Sequence, residues 1–116
     1  MSDMIMFSKV TMGGQELENR IVLSPMTRAR CDQTEDPFDI KNSMANERML
    51  EYYKQRASAG LIITEGTQVS ELGYGWMCAP RMDKEEHVEP WKRAVDAVHE
   101  KGGTIYMQLW HLVSPR

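Results

Sequence analysis

Two cysteines in 116 residues, Cys31 and Cys78, are too few and too far apart to suggest a disulfide framework. They belong to no CxxC pair and no Cys/His array, so a zinc site has no support either, and a reducing, cytoplasmic setting is the expectation. Long apolar runs are also missing. No uninterrupted stretch approaches the roughly 18 residues of a spanning helix, and the opening MSDMIMFSKV lacks the charged start and apolar middle of a signal peptide. Nor is there an excess of basic charge: 14 Lys and Arg stand against 17 Asp and Glu, giving a net charge of −3 with no long basic run. Such a chain has no electrostatic drive toward phosphate backbones, so neither nucleic acid nor membrane is an expected partner. What remains, 41% hydrophobic and 27% charged residues, is the composition of one small soluble domain. The ten methionines are scattered, as pliable core fillers are.

Residues 9–12 and 15–17 read as short strands around Gly13-Gly14, a pair that supplies the positive φ angles of a tight hairpin turn. The run Ile21-Val22-Leu23, stopped by Ser24-Pro25, predicts a buried strand, and residues 27–46 a long polar loop. Over residues 47–59, Met49, Tyr52, Tyr53 and Ala57 recur at helical spacing, with Gly60 placed for a left-handed cap. Residues 61–64, apolar on consecutive positions, predict a parallel strand covered on both faces, and residues 66–80 a second loop rich in glycine and aromatics. A second helix is marked by Asp83, Glu85 and Glu86 at its start, a stripe of Val88, Trp91, Ala94, Val95 and Val98, and Gly102-Gly103 at its end. Residues 104–109 then read as a third strand. The alternation implies an α/β fold with a parallel sheet and right-handed crossovers, either open or the opening of a closed barrel. Both architectures put ligands at the carboxyl ends of the strands, where the longest loops lie.

Three stretches, NRIVLSPMTR (residues 19–28), YYKQRASAGLIITE (52–65) and GGTIYMQLWH (102–111), together resemble the old yellow enzyme family of FMN-dependent ene reductases. Their order and spacing extend the resemblance over nearly all of residues 9–111. It implies a (β/α)₈ TIM barrel with a leading β-hairpin, of which this single partial domain, residues 1–116, carries about three strands and two helices. It further implies FMN as cofactor, NADPH or NADH as reductant, and reduction of activated C=C bonds in enone or quinone-like small molecules.

The resemblance places Pro25, Met26 and Thr27 at the end of the first barrel strand against the flavin ring. The Thr27 hydroxyl would there stabilise the negative charge that develops on reduction and so tune the flavin. Gly66 corresponds to a small residue whose backbone amide meets the flavin. Gln108, expected in a strand covered on both sides, offers a carboxamide donor and acceptor to the pyrimidine edge. Tyr74 and Trp110 correspond to positions that wall the substrate side, and His111 is given no catalytic role.

A full barrel needs about 250 residues. By the same resemblance, the groups that hold the substrate carbonyl, the tyrosine that donates a proton, the arginine near flavin N1 and the phosphate-binding loops all belong to later strands. The family continues after the Trp-His pair with a glycine and a basic residue, whereas here Leu112 follows. The expectation is therefore a truncated or incomplete barrel that exposes strand edges and calls for a complementing chain or self-association.

Overall fold

The computed structural model describes residues 4–32 and 43–112; the central part of the predicted first loop lies outside them. After a 3₁₀ turn at Ile5–Phe7, strands β1 (Val10–Met12) and β2 (Gln15–Leu17) pair antiparallel, with Val10 opposite Leu17. Gly13 and Gly14 turn the hairpin at φ 56° and 83°, angles at which a side chain would be strained. Leu17 is its one buried residue.

Strand β3 (Val22–Leu23) leads through the undescribed loop to helix α1 (Glu47–Gln55). Asn46 caps α1, its side chain accepting the Met49 N–H at 3.0 Å. The helix is shorter than the predicted 47–59. Its last residues tighten into three-residue turns, Ala57 N–H donating to Lys54 O and Ala59 N–H to Arg56 O. Gly60 does not take up the expected left-handed cap. It is a glycine because the chain after the hairpin passes against it, so that a Cβ would stand 2.0 Å from the Asn19 carbonyl oxygen. The Asn19 side chain closes this crossing, accepting from Gly60 N–H and Ile21 N–H and donating to Ser58 O.

Strands β4 (Leu61–Ile63) and β5 (Thr67–Gln68) form one interrupted line, so the strand runs further than the sequence pattern indicates and the second loop starts later. A 3₁₀ turn at Glu85–His87 then enters helix α2 (Val88–Glu100). Its apolar stripe is buried at Trp91, Ala94 and Val98, while Val88, at the very start, is exposed. The helix ends in a Schellman motif. Gly103 N–H reaches Val98 O, Gly102 N–H reaches His99 O, and Gly102 sits at φ 80°. Beyond it come β6 (Ile105–Tyr106) and β7 (Leu109–Trp110), again one interrupted line.

The parallel order is β3-β4-β6, continued by β5-β7. Ile63 lies opposite Tyr106 and Thr67 opposite Leu109, so Thr64, Glu65 and Gly66 on one line face only Met107 and Gln108 on the other. This is a bulge of one residue. The Thr64 hydroxyl heals it by accepting the Gln108 N–H at 3.1 Å, a bond that an unbroken ladder would give to a carbonyl. The core lies between this sheet and the two helices: Ile62 from β4, Met49, Tyr53 and Ala57 from α1 and the turns after it, and Trp91, Ala94 and Val98 from α2. The Tyr53 and Trp91 rings meet at 6.1 Å between centroids.

Both lateral edges and one face of the sheet are open. Ile21, Val22, Tyr106 and Leu109 are all exposed, Leu109 at 58%. Among the described residues no helix is long and apolar enough to cross a membrane.

Candidate functional site

The carboxyl ends of β3, β5 and β7 lie on one side of the sheet, with the ends of β3 and β7 separated by one intervening strand, about 10 Å at ordinary strand spacing. Pro25 and Thr27 are half-buried just past β3, and Met26 between them is 43% exposed, the alternation of an extended segment. The Thr27 hydroxyl makes no hydrogen bond with any described residue.

Across the sheet, Gln108 sits at the bulge. Its N–H goes to the Thr64 hydroxyl and its carbonyl accepts the Thr67 N–H at 2.9 Å, so its backbone is held from both directions. Its side chain is exposed, not covered on both sides as expected, because the face it projects from is open. Like Thr27, it keeps its hydrogen-bonding groups uncommitted.

Gly66 and Trp110 are in direct contact. Gly66 is buried, and a Cβ there would stand 2.3 Å from the Trp110 ring, so the indole occupies the space a side chain would take. Tyr74 is on the loop after β5, where its hydroxyl accepts a hydrogen bond from Ser43 at 3.0 Å and the preceding Gly73 carbonyl accepts the Leu112 N–H at 2.8 Å. That loop is fastened by Arg81, fully buried, whose guanidinium donates twice to Asp83 at 2.8 and 2.5 Å and lies 3.7 Å from Glu71.

Beneath the bulge is a buried pair to which the sequence reading assigned no role. Glu65 is 1% exposed; its carboxylate accepts the Tyr53 hydroxyl at 2.8 Å, and the same hydroxyl accepts the Glu65 N–H at 2.9 Å. The Arg28 N–H approaches the other carboxylate oxygen at 3.5 Å. Burial pushes the Glu65 carboxyl up from the usual carboxylate range, and Tyr53 and Arg28 pull it part of the way back. Burial, and then the facing carboxylate, push the Tyr53 phenol up as well. A cavity of about 210 Å³ opens beside the pair, lined by Arg28, Arg30, Arg48, Met49, Tyr52 and Glu65.

The set of groups fits a flavin ring. A hydroxyl past the end of β3 and a carboxamide at the bulge stand uncommitted with one strand between their lines, and the Trp110 indole packs over Gly66 on the intervening one. The comparisons agree with the fold and the family. The profile of the NADH:flavin oxidoreductase / NADH oxidase family matches residues 5–115, and the chain belongs to this family, as an amino-terminal portion of the old yellow enzyme barrel. It is 40% identical to 12-oxophytodienoate reductase 7 of Oryza sativa subsp. japonica over 108 residues, covering 92% of this chain and 25% of that protein. It is 39% identical to a probable flavin mononucleotide-dependent alkene reductase of Leishmania infantum over 107 residues, 90% of this chain and 27% of that one. Among solved structures, the old yellow enzyme homologue of Zymomonas mobilis superposes with a TM-score of 0.79 at 43% identity, covering 91% of this chain and 28% of its own. Morphinone reductase in complex with tetrahydroNAD superposes at 0.81 and 39% identity, with 91% and 27% covered. The chain thus spans about a quarter of the length of the relatives it matches. The fold is the amino-terminal part of their TIM barrel.

Proposed function

We propose that the chain supplies the amino-terminal part of an FMN site in an ene reductase of old yellow enzyme type, with NADH or NADPH as reductant and an enone or quinone-like alkene as substrate. Bound there, the flavin supplies hydride transfer between nicotinamide and alkene. Thr27 donates its hydroxyl to a ring carbonyl and favours the reduced, more negative ring. Gln108 engages the pyrimidine edge with both ends of its carboxamide. Gly66 brings backbone close to the ring, Pro25 and Met26 pack against it, and Trp110 and Tyr74 wall the substrate side. The proton donor comes from outside residues 1–116.

The observation that carries this reading is the pair of uncommitted polar side chains, Thr27 past the end of β3 and Gln108 at the bulge, with one strand between their lines. The names of the relatives, an alkene reductase and 12-oxophytodienoate reductases, support the alkene as substrate class. The morphinone reductase complex with tetrahydroNAD supports a nicotinamide reductant. The test is a titration of FMN fluorescence with the purified chain. Thr27→Val should weaken binding about tenfold, one hydrogen bond's worth, and Gln108→Leu, which removes two, by more than that. Equal affinity in all three proteins would remove the assigned roles.

A second reading, that the chain acts only through a complementing chain or self-association, is favoured by the open edges at Ile21 and Val22 and at Tyr106 and Leu109. Light scattering separates the two, since a stable flavin-binding monomer contradicts the second.

A further inference from the structure

The two cysteines, 47 positions apart in sequence, meet in the fold. Cys31 follows the strand end that carries Thr27, and Cys78 lies on the loop that carries Tyr74. The Cys31 N–H donates to the Cys78 carbonyl at 3.4 Å. A backbone bond of this kind brings the two residues close to the spacing of about 4.4–6.8 Å between α-carbons that a disulfide spans. Both side chains also pack on the same core cluster. Cys31 is buried in the core cluster, Cys78 packs against that cluster, and charge on the Cys78 sulfur is felt at Cys31. Neither sulfur is in a disulfide. Cys78 holds a left-handed backbone, φ 54°, unusual for a residue with a side chain. Its position is thus set by the surrounding structure and not by local preference.

We infer that Cys31 and Cys78 form a thiol pair that closes to an intramolecular disulfide under oxidising conditions, tying together the loops that carry Thr27 and Tyr74. The oxidant is a low-molecular-weight disulfide, RS–SR. Cys78, the more exposed of the two, loses its proton and attacks one sulfur of RS–SR, giving Cys78–S–S–R and RS⁻. The Cys31 thiol then loses its proton and attacks the Cys78 sulfur, the protein S–S bond forms and a second RS⁻ leaves. Two protein thiols are oxidised, one small disulfide is reduced, and the two protons end on two RSH. Burial holds the Cys31 thiol in its protonated form, which assigns Cys78 the first step and Cys31 the second.

The inference is independent of flavin binding and is tested on the chain alone. The wild-type chain is equilibrated with reduced and oxidised glutathione, quenched with acid, alkylated and mapped by mass spectrometry, in buffer and again in concentrated guanidinium chloride. The expected result is a linked peptide pair containing Cys31 and Cys78, with an effective thiol concentration about tenfold or more higher in buffer than in denaturant. No linked pair, or the same effective concentration in both solvents, overturns the inference. With oxidised glutathione alone, Cys31→Ser should accumulate the mixed disulfide at Cys78, whereas Cys78→Ser should react at Cys31 at least about tenfold more slowly. Equal rates overturn the order of steps.

Discussion

The Trp110 indole lies in the volume that a side chain on Gly66 would need, 2.3 Å from where its Cβ would be. Gly66, in the one-residue bulge, and Trp110, on the neighbouring strand β7, are therefore matched by subtraction: the glycine is small because the tryptophan is large. The contact fixes the end of β7, two residues beyond Gln108.

Gly66→Ala should cost about 1–3 kcal/mol, the usual penalty for forcing a methyl into filled space. Urea unfolding of the single variants and of Gly66→Ala with Trp110→Ala checks the cause. The double variant should lose less stability than the two single losses combined, and additive losses would mean that the two side-chain positions do not compete.

Tyr53 holds Glu65 from both ends, donating to its carboxylate and accepting from its N–H. Tyr53→Phe keeps the ring in the core and leaves two buried polar groups without this partner, so stability should fall by about 1–3 kcal/mol. An unchanged urea midpoint would show that water replaces the hydroxyl without loss.

The raised Glu65 carboxyl also sets a pH dependence. Its folded value lies above its unfolded one, so between the two the folded chain binds more protons than the unfolded chain. This contribution to stability is fully present below the usual carboxylate range and is lost as pH rises through the folded value. Glu65→Gln should flatten that part of the stability curve. An identical pH profile in the variant would assign the dependence to other groups.

The sequence pattern and the fold agree wherever a local rule governs. Gly13-Gly14 demanded a hairpin, Gly102-Gly103 closed α2, and the Trp91, Ala94 and Val98 stripe faced the core. The disagreements arise where the cause is not local. Gly60 looked like a helix cap and is a crossing point with Asn19, a residue 41 positions earlier in the chain. The strand past Thr64 was hidden because a bulge places Glu65 and Gly66 in a β line that apolar patterning reads as loop. The Glu65–Tyr53 pair left no signal, since a carboxylate is buried only once its partner is in place. The residues of the candidate site were named through resemblance alone, whereas the contact of Gly66 with Trp110 and the open face around Gln108 are three-dimensional facts that no sequence pattern carries.

If the chain holds the flavin ring and the phosphate-binding loops belong to later strands, the phosphate adds little to binding here. Riboflavin and FMN should then bind with affinities within a factor of about three. A strong preference for FMN in parallel fluorescence titrations would point to a phosphate contact within these 116 residues.

The most direct measurement is a ¹H–¹⁵N correlation spectrum of the labelled chain recorded through an FMN titration. The account predicts saturable shifts of the Gln108 side-chain NH₂ and the Gly66 and Thr27 backbone amides, while the Asn19 side-chain NH₂, engaged with Ser58 at the opposite end of the strands, stays in place. Shifts confined to Asn19 and the hairpin, or none at all at saturating FMN, would contradict it.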